Sequence, residues 1–103
     1  MPQLYAIVST DAPDAEARRD GARAAHFAHL ATILDRIAVA GPLKDEAGQI
    51  TGSLVVLHAA SAAEARAILE SDPYHRAGVW CDVRIAAFIA LAGTWASTEG
   101  SKA

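Results

Sequence analysis

Two kinds of pattern alternate along the chain: short apolar runs containing β-branched residues, and longer stretches in which apolar residues recur at three- and four-residue steps. Leu4 to Ser9 (LYAIVS) is a run of the first kind. It is closed by the turn-prone TDAPD and predicts a first strand. Asp11, Pro13 and Asp14 then signal a helix start. Arg18, Arg19, Asp20 and Arg23 fill its polar opening turns, where Gly21 costs about 1 kcal/mol relative to Ala. From Ala22 to Arg36 the pattern is helical, and His26, His29, Leu30, Ile33 and Ile37 form one stripe that should face a sheet.

Ile37 to Leu43 (IAVAGPL) predicts a second strand. Gly41-Pro42 interrupts it, and because proline has no donor for a ladder the strand should end there or run along an edge. Lys44 to Gln49 reads as a hairpin loop, and Thr51 to His58 (TGSLVVLH) as a third strand. Its two faces are Ser53, Val55, Leu57 and Leu54, Val56, His58. Ser61 followed by Glu64 is a capping-box signature for a second helix, with Ala62, Ala65, Ile68 and Leu69 inward. A last strand runs from Val79 to about Ile89. Val79, Cys81, Val83 and Ile85 alternate there with Trp80, Asp82 and Arg84, which sets Cys81 in the core and Trp80 on the other face.

The order strand, helix, strand, strand, helix, strand predicts an α+β fold, the ferredoxin-like βαββαβ, with a four-stranded antiparallel sheet and two helices on one face. The uncovered face then has to meet solvent, a ligand or another subunit. Apolar residues on both faces of the third strand favour a sheet-to-sheet homodimer, or a higher homo-oligomer. A single domain over residues 1–95 is expected, with a small, polar, frayed tail over 96–103.

Composition narrows the function classes. The chain has 103 residues, 52% hydrophobic and 20% charged, which is globular rather than disordered. Nine basic against twelve acidic residues give a net charge of −3, with no basic stripe, so nucleic acid is not an expected partner. No apolar run approaches the roughly 20 residues that cross a bilayer, so no membrane partner is expected. MPQLYAIVST has neither a basic region nor a cleavage pattern, and a single Cys81 rules out an internal disulfide. A cytoplasmic location is expected.

Chemistry concentrates in two places. His26 and His29 are neighbours on one helix face, and imidazole titrates near neutral pH, so each reads either as a hydrogen-bonded core histidine or as a general acid/base. No third ligand follows at motif spacing, so no metal site is expected. The second place is "DPYHRAGVW", residues 72–80. Asp72 before Pro73 is a helix N-cap by local preference. A carboxylate has two oxygens, however, and can cap amides while orienting a histidine. Ser53 and Tyr74 are candidates for binding substrate oxygens, with Arg23 as a third substrate-binding candidate. No phosphate-binding glycine motif is present, and no cofactor is expected.

These pieces together resemble the YciI-like (YCII-related) family from about Leu4 to Phe88. The resemblance is carried by YAIVSTD, by Arg19 and Arg23 ahead of HFAHL (26–30), and by AGPL (40–43). TGSLVV (51–56), SAAEARAILESDPY (61–74) and AGVW (77–80) complete it. It implies a ferredoxin-like fold that dimerises as an α/β barrel, and a catalytic site centred on a histidine and an aspartate, here His26 and Asp72. His29 falls where family members vary. Some members are dehydrochlorinases of chlorinated hydroxylated aromatics. The chain departs from the pattern in a short 44–50 loop and in AAFIALAG, where a Pro-Phe end is typical. The expected function is therefore acid/base chemistry, elimination or isomerisation, on a small cyclic or aromatic molecule held between the first helix and the sheet. The alternative is a non-catalytic dimeric module that binds a small ligand or regulates a partner.

Overall fold

A computed structural model of the chain describes residues 3–95. The tail expected to fray over 96–103 lies outside the described residues. Four strands, β1 (Gln3–Asp11), β2 (Ile37–Lys44), β3 (Ile50–Ala59) and β4 (Trp80–Phe88), form one antiparallel sheet in the order β2-β3-β1-β4. This is the ferredoxin-like α+β order that the pattern predicts. Three helices accompany it: α1 (Ala15–Thr32), α2 (Ala62–Glu70) and a one-turn α3 (Pro73–Arg76) that adds to the two expected.

Local sequence explains most of the boundaries. α1 stops at Thr32, before the predicted Arg36, because Ile33 leaves helical geometry at φ −126° and a 3₁₀ turn over Leu34–Arg36 leads into β2. The β2–β3 hairpin turns at Gly48, whose φ of +84° suits a residue without a Cβ. Ser61 caps α2, its Oγ accepting the Glu64 N–H at 3.1 Å. The Glu64 carboxylate reaches one residue further back than a standard capping box, accepting the Ala60 N–H at 3.0 Å, and pairs with Arg36.

The core lies between the sheet and α2. Ile7, Leu57 and Ala59 are buried against Ala65 and Leu69, with Val83 and Ile85 packed alongside. Ala62, expected inward, is exposed, because the core cluster begins one turn further on at Ala65. A second cluster of Ala15, Tyr74 and Val79 joins α1 to α3.

The last strand departs from strict alternation. Thr10 pairs with Asp82 but Asp11 pairs with Trp80, so Cys81 is an extra residue in β4. Such a bulge shifts the two-residue period by one and exchanges the faces. Trp80 therefore joins Val83 and Ile85 on the helix side and packs against both clusters, while Cys81 is exposed. This reverses the faces expected for both residues. The opposite face of the sheet carries Val8, Leu43 and Phe88, which are 37–41% exposed.

Candidate functional site

α1 packs mainly against α3, whereas α2 packs against β3 and β4. The space left between α1 and the β2–β3 half of the sheet is a cavity of about 360 Å³. Small-molecule pockets span about 300–1,000 Å³. α1 contributes Arg19, Arg23, His26, Phe27 and Leu30 to its wall. β2 and β3 contribute Pro42, Ser53 and Val55, α3 and its cap contribute Tyr74 and Asp72, and the first residue of β4 contributes Trp80.

Asp72 is positioned by backbone chemistry. Pro73 is the first residue of α3, and the Asp72 Oδ1 accepts the Tyr74 N–H at 2.8 Å, so the carboxylate caps the helix and is only 5% exposed. The same carboxylate meets α1: His26 Nδ1 lies 2.8 Å from Oδ1 and 3.0 Å from Oδ2. An ionised carboxylate only accepts, so Nδ1 carries the hydrogen and donates. In the neutral ring, Nε2 then holds the lone pair.

The imidazole is also clamped from its face. It stacks on the Tyr74 ring with centroids 3.7 Å apart and planes 6° from parallel. Trp80 meets Tyr74 edge-on at 6.0 Å, a contact that exists because of the β4 bulge. Aromatic packing on one side and the carboxylate on another leave the ring one orientation.

Arg19 also lies near the Tyr74 ring, its Cζ 5.5 Å from the centroid. Its guanidinium donates to Asp11 through two nitrogens, at 2.9 and 3.1 Å, and the two side chains are only 8% and 10% exposed. Arg23 is more open, at 45%, and binds Asp20 at 2.8 Å. That hydrogen bond holds the Arg23 guanidinium above its ordinary pKa, with a smaller contribution from Tyr74. On the sheet side, Ser53 lines the cavity and its Oγ has no hydrogen-bond partner among the described residues. Beside it, a Cβ on Gly52 would stand 2.0 Å from the Ser9 carbonyl oxygen, so β1 and β3 approach too closely there for any side chain.

His26, Asp72, Tyr74, Ser53 and Arg23, distant in sequence, thus share one cavity. His29 does not line it. Its Nε2 is buried without a partner among the described residues. Among those residues no group of three or more His, Cys, Asp or Glu is placed to hold a metal ion, and no helix is long and apolar enough to cross a membrane. Sequence reasoning missed Trp80 as a wall residue, since only the bulge turns it inward. It also gave Arg19 no role in the site. The signal for Arg19 was present: it stands seven residues before His26, two helical turns away on the same face.

The fold is that of a known class, and the chain belongs to the YCII-related domain family, which it matches over residues 3–89. Two relatives called Protein YciI, from Escherichia coli O6:H1 and from Shigella flexneri, are each 34% identical over 93 residues, covering 82% of this chain and 95% of theirs. A solved structure of similar fold is 5-chloro-2-hydroxyhydroquinone dehydrochlorinase from Burkholderia phenoliruptrix AC1100, in complex with 2,5-dihydroxybenzoquinone. It superposes with a TM-score of 0.71 at 28% identity, covering 81% of this chain and 90% of that one.

Proposed function

We propose that the chain is a small enzyme in which His26, oriented by Asp72, performs acid/base chemistry on a small oxygenated ring held between α1 and the sheet. The observation that carries this reading is the contact of His26 Nδ1 with a buried carboxylate in the wall of a ring-sized cavity. In the reaction, Nε2 takes a proton from the substrate. The electrons of the broken bond form a double bond within the ring. Where the ring carries a halide, its keto tautomer places that halide on an sp3 carbon. The halide leaves with its bonding pair as the proton is lost, so the net change is loss of HX with no oxidant or reductant. Where it carries none, His26 returns the proton at a second carbon and the product is an isomer. Asp72 keeps Nε2 unprotonated and ready, and stabilises the imidazolium that forms. Ser53 and Tyr74 bind ring oxygens, and Arg23 guards the mouth.

The dehydrochlorinase relative supports elimination as the reaction type and a hydroxylated ring as the substrate class. The test is chloride release from 5-chloro-2-hydroxyhydroquinone. Wild type should release chloride, and His26→Ala should lose about 10²–10⁴-fold in rate. Binding of 2,5-dihydroxybenzoquinone without turnover of any chlorinated ring would instead identify a ligand-binding module.

The uncovered sheet face supports a homodimer. Val8, Leu43 and Phe88 lie there beside Leu54, and a second copy laid on that face removes the patch from water.

A further inference from the structure

The Asp11–Arg19 pair is not accounted for by acid/base chemistry. Burying two ionised side chains carries a desolvation cost that is only recovered with good geometry, and such a pair is weak evidence for a purely stabilising role. The geometry here is good, with two parallel hydrogen bonds at 2.9 and 3.1 Å. The pair is also oriented. Arg19 is among the residues that line the cavity and Asp11 is not, so of the two partners the arginine is the one on the ligand side. Asp11 accepts from Nη1 and Nη2 of a group with five N–H donors, and Glu16 Oε2 lies 3.8 Å from Nη1, beyond hydrogen-bond range, which leaves others available. The charged residues of the wall are Arg19, Arg23 and Asp72, and Asp72 is occupied by His26 and the Tyr74 N–H. Arg19 is paired with Asp11 and Arg23 with Asp20, so the wall offers oriented hydrogen-bond donors rather than an excess of charge.

Position adds to this. Tyr74 touches both ends of the wall, stacked on His26 at 3.7 Å and lying 5.5 Å from Arg19 Cζ. A ring bound between the two groups would meet the imidazole with one edge and the guanidinium with the other. Proton removal by His26 from such a ring builds negative charge on an oxygen conjugated with the reacting carbon. A donor array fixed in advance where that charge appears, away from water, is the arrangement that favours a transition state. We propose that Arg19, held by Asp11, is an oxyanion subsite of the cavity that recognises an ionised enol or phenol oxygen of the ring.

The inference rests on the proposed pocket chemistry, and its test separates the two. The compounds are 2,5-dihydroxybenzoquinone, whose enolic hydroxyls ionise, and its dimethyl ether 2,5-dimethoxybenzoquinone, which cannot ionise. Binding is measured by calorimetry in a Cys81→Ser background, so that the exposed thiol does not add to a quinone. The parent should prefer the ionisable compound by about tenfold or more, the worth of one charge-assisted hydrogen bond. Arg19→Lys, which loses the fork to Asp11, should reduce that preference. The double variant Asp11→Asn with Arg19→Gln keeps a neutral hydrogen-bonded pair and should abolish it, with dimethoxy binding unchanged. Equal affinities of the parent for the two compounds overturn the subsite even if neither variant folds. Equal losses for both compounds in the double variant also overturn it, since a merely structural pair would act that way. Failure of the parent to bind either compound overturns the ligand class and the subsite together.

Discussion

Asp72 joins a backbone duty to a side-chain one. Its Oδ1 accepts the Tyr74 N–H that starts α3 and also lies 2.8 Å from His26 Nδ1. Substitution separates the two duties. Asp72→Asn retains a good cap, so stability should fall by no more than about 1 kcal/mol. An amide, unlike a carboxylate, does not compel Nδ1 to be the donor. The imidazole of Asp72→Asn should therefore show more of the Nε2–H tautomer in nitrogen-15 correlation spectra, with slower chloride release. An unchanged tautomer would rule out Asp72 as the group that orients His26. The capping role of Asp72 was legible in "DP" alone, because caps are local. Its partner, 46 residues earlier, was named only through the resemblance to a family pattern.

Single elements follow their sequences closely until a long-range contact intervenes. α2 begins where Ser61 and Glu64 place it, but Glu64 also ties the helix to the turn before β2 through Arg36. The Ala60 N–H bond, and after it Arg36, hold the Glu64 carboxyl below its ordinary pKa. A carboxyl whose folded pKa is depressed contributes stability that is present above the unfolded pKa and lost as pH falls through the folded one. Denaturant midpoints measured through the acid range should show this as a slope. Glu64→Gln should flatten it, and an identical slope would exclude Glu64 as a source. β4 shows the opposite case. Its alternation predicts the wrong faces for Trp80 and Cys81, because a bulge depends on how the partner strand pairs and leaves no mark in a two-residue period.

For the whole molecule, the sheet face opposite the helices raises the question of assembly. A sheet-to-sheet dimer through that face predicts a dimeric mass in analytical ultracentrifugation. Leu54→Asp, at its centre opposite Val8, should give monomer; a wild type that sediments as monomer would remove the barrel dimer from consideration. The order and type of the elements were determined by the sequence, since 3.6- and 2-residue periods, caps and turns are local and mark where apolar surface must be buried. The cavity was decided by tertiary structure alone. α1 rests on α3 and leaves room above β2 and β3, the bulge turns Trp80 inward to brace Tyr74, and Asp11 takes up Arg19 across eight residues. Each is a contact between segments whose separate patterns are satisfied equally well without it, so only the folded chain selects it.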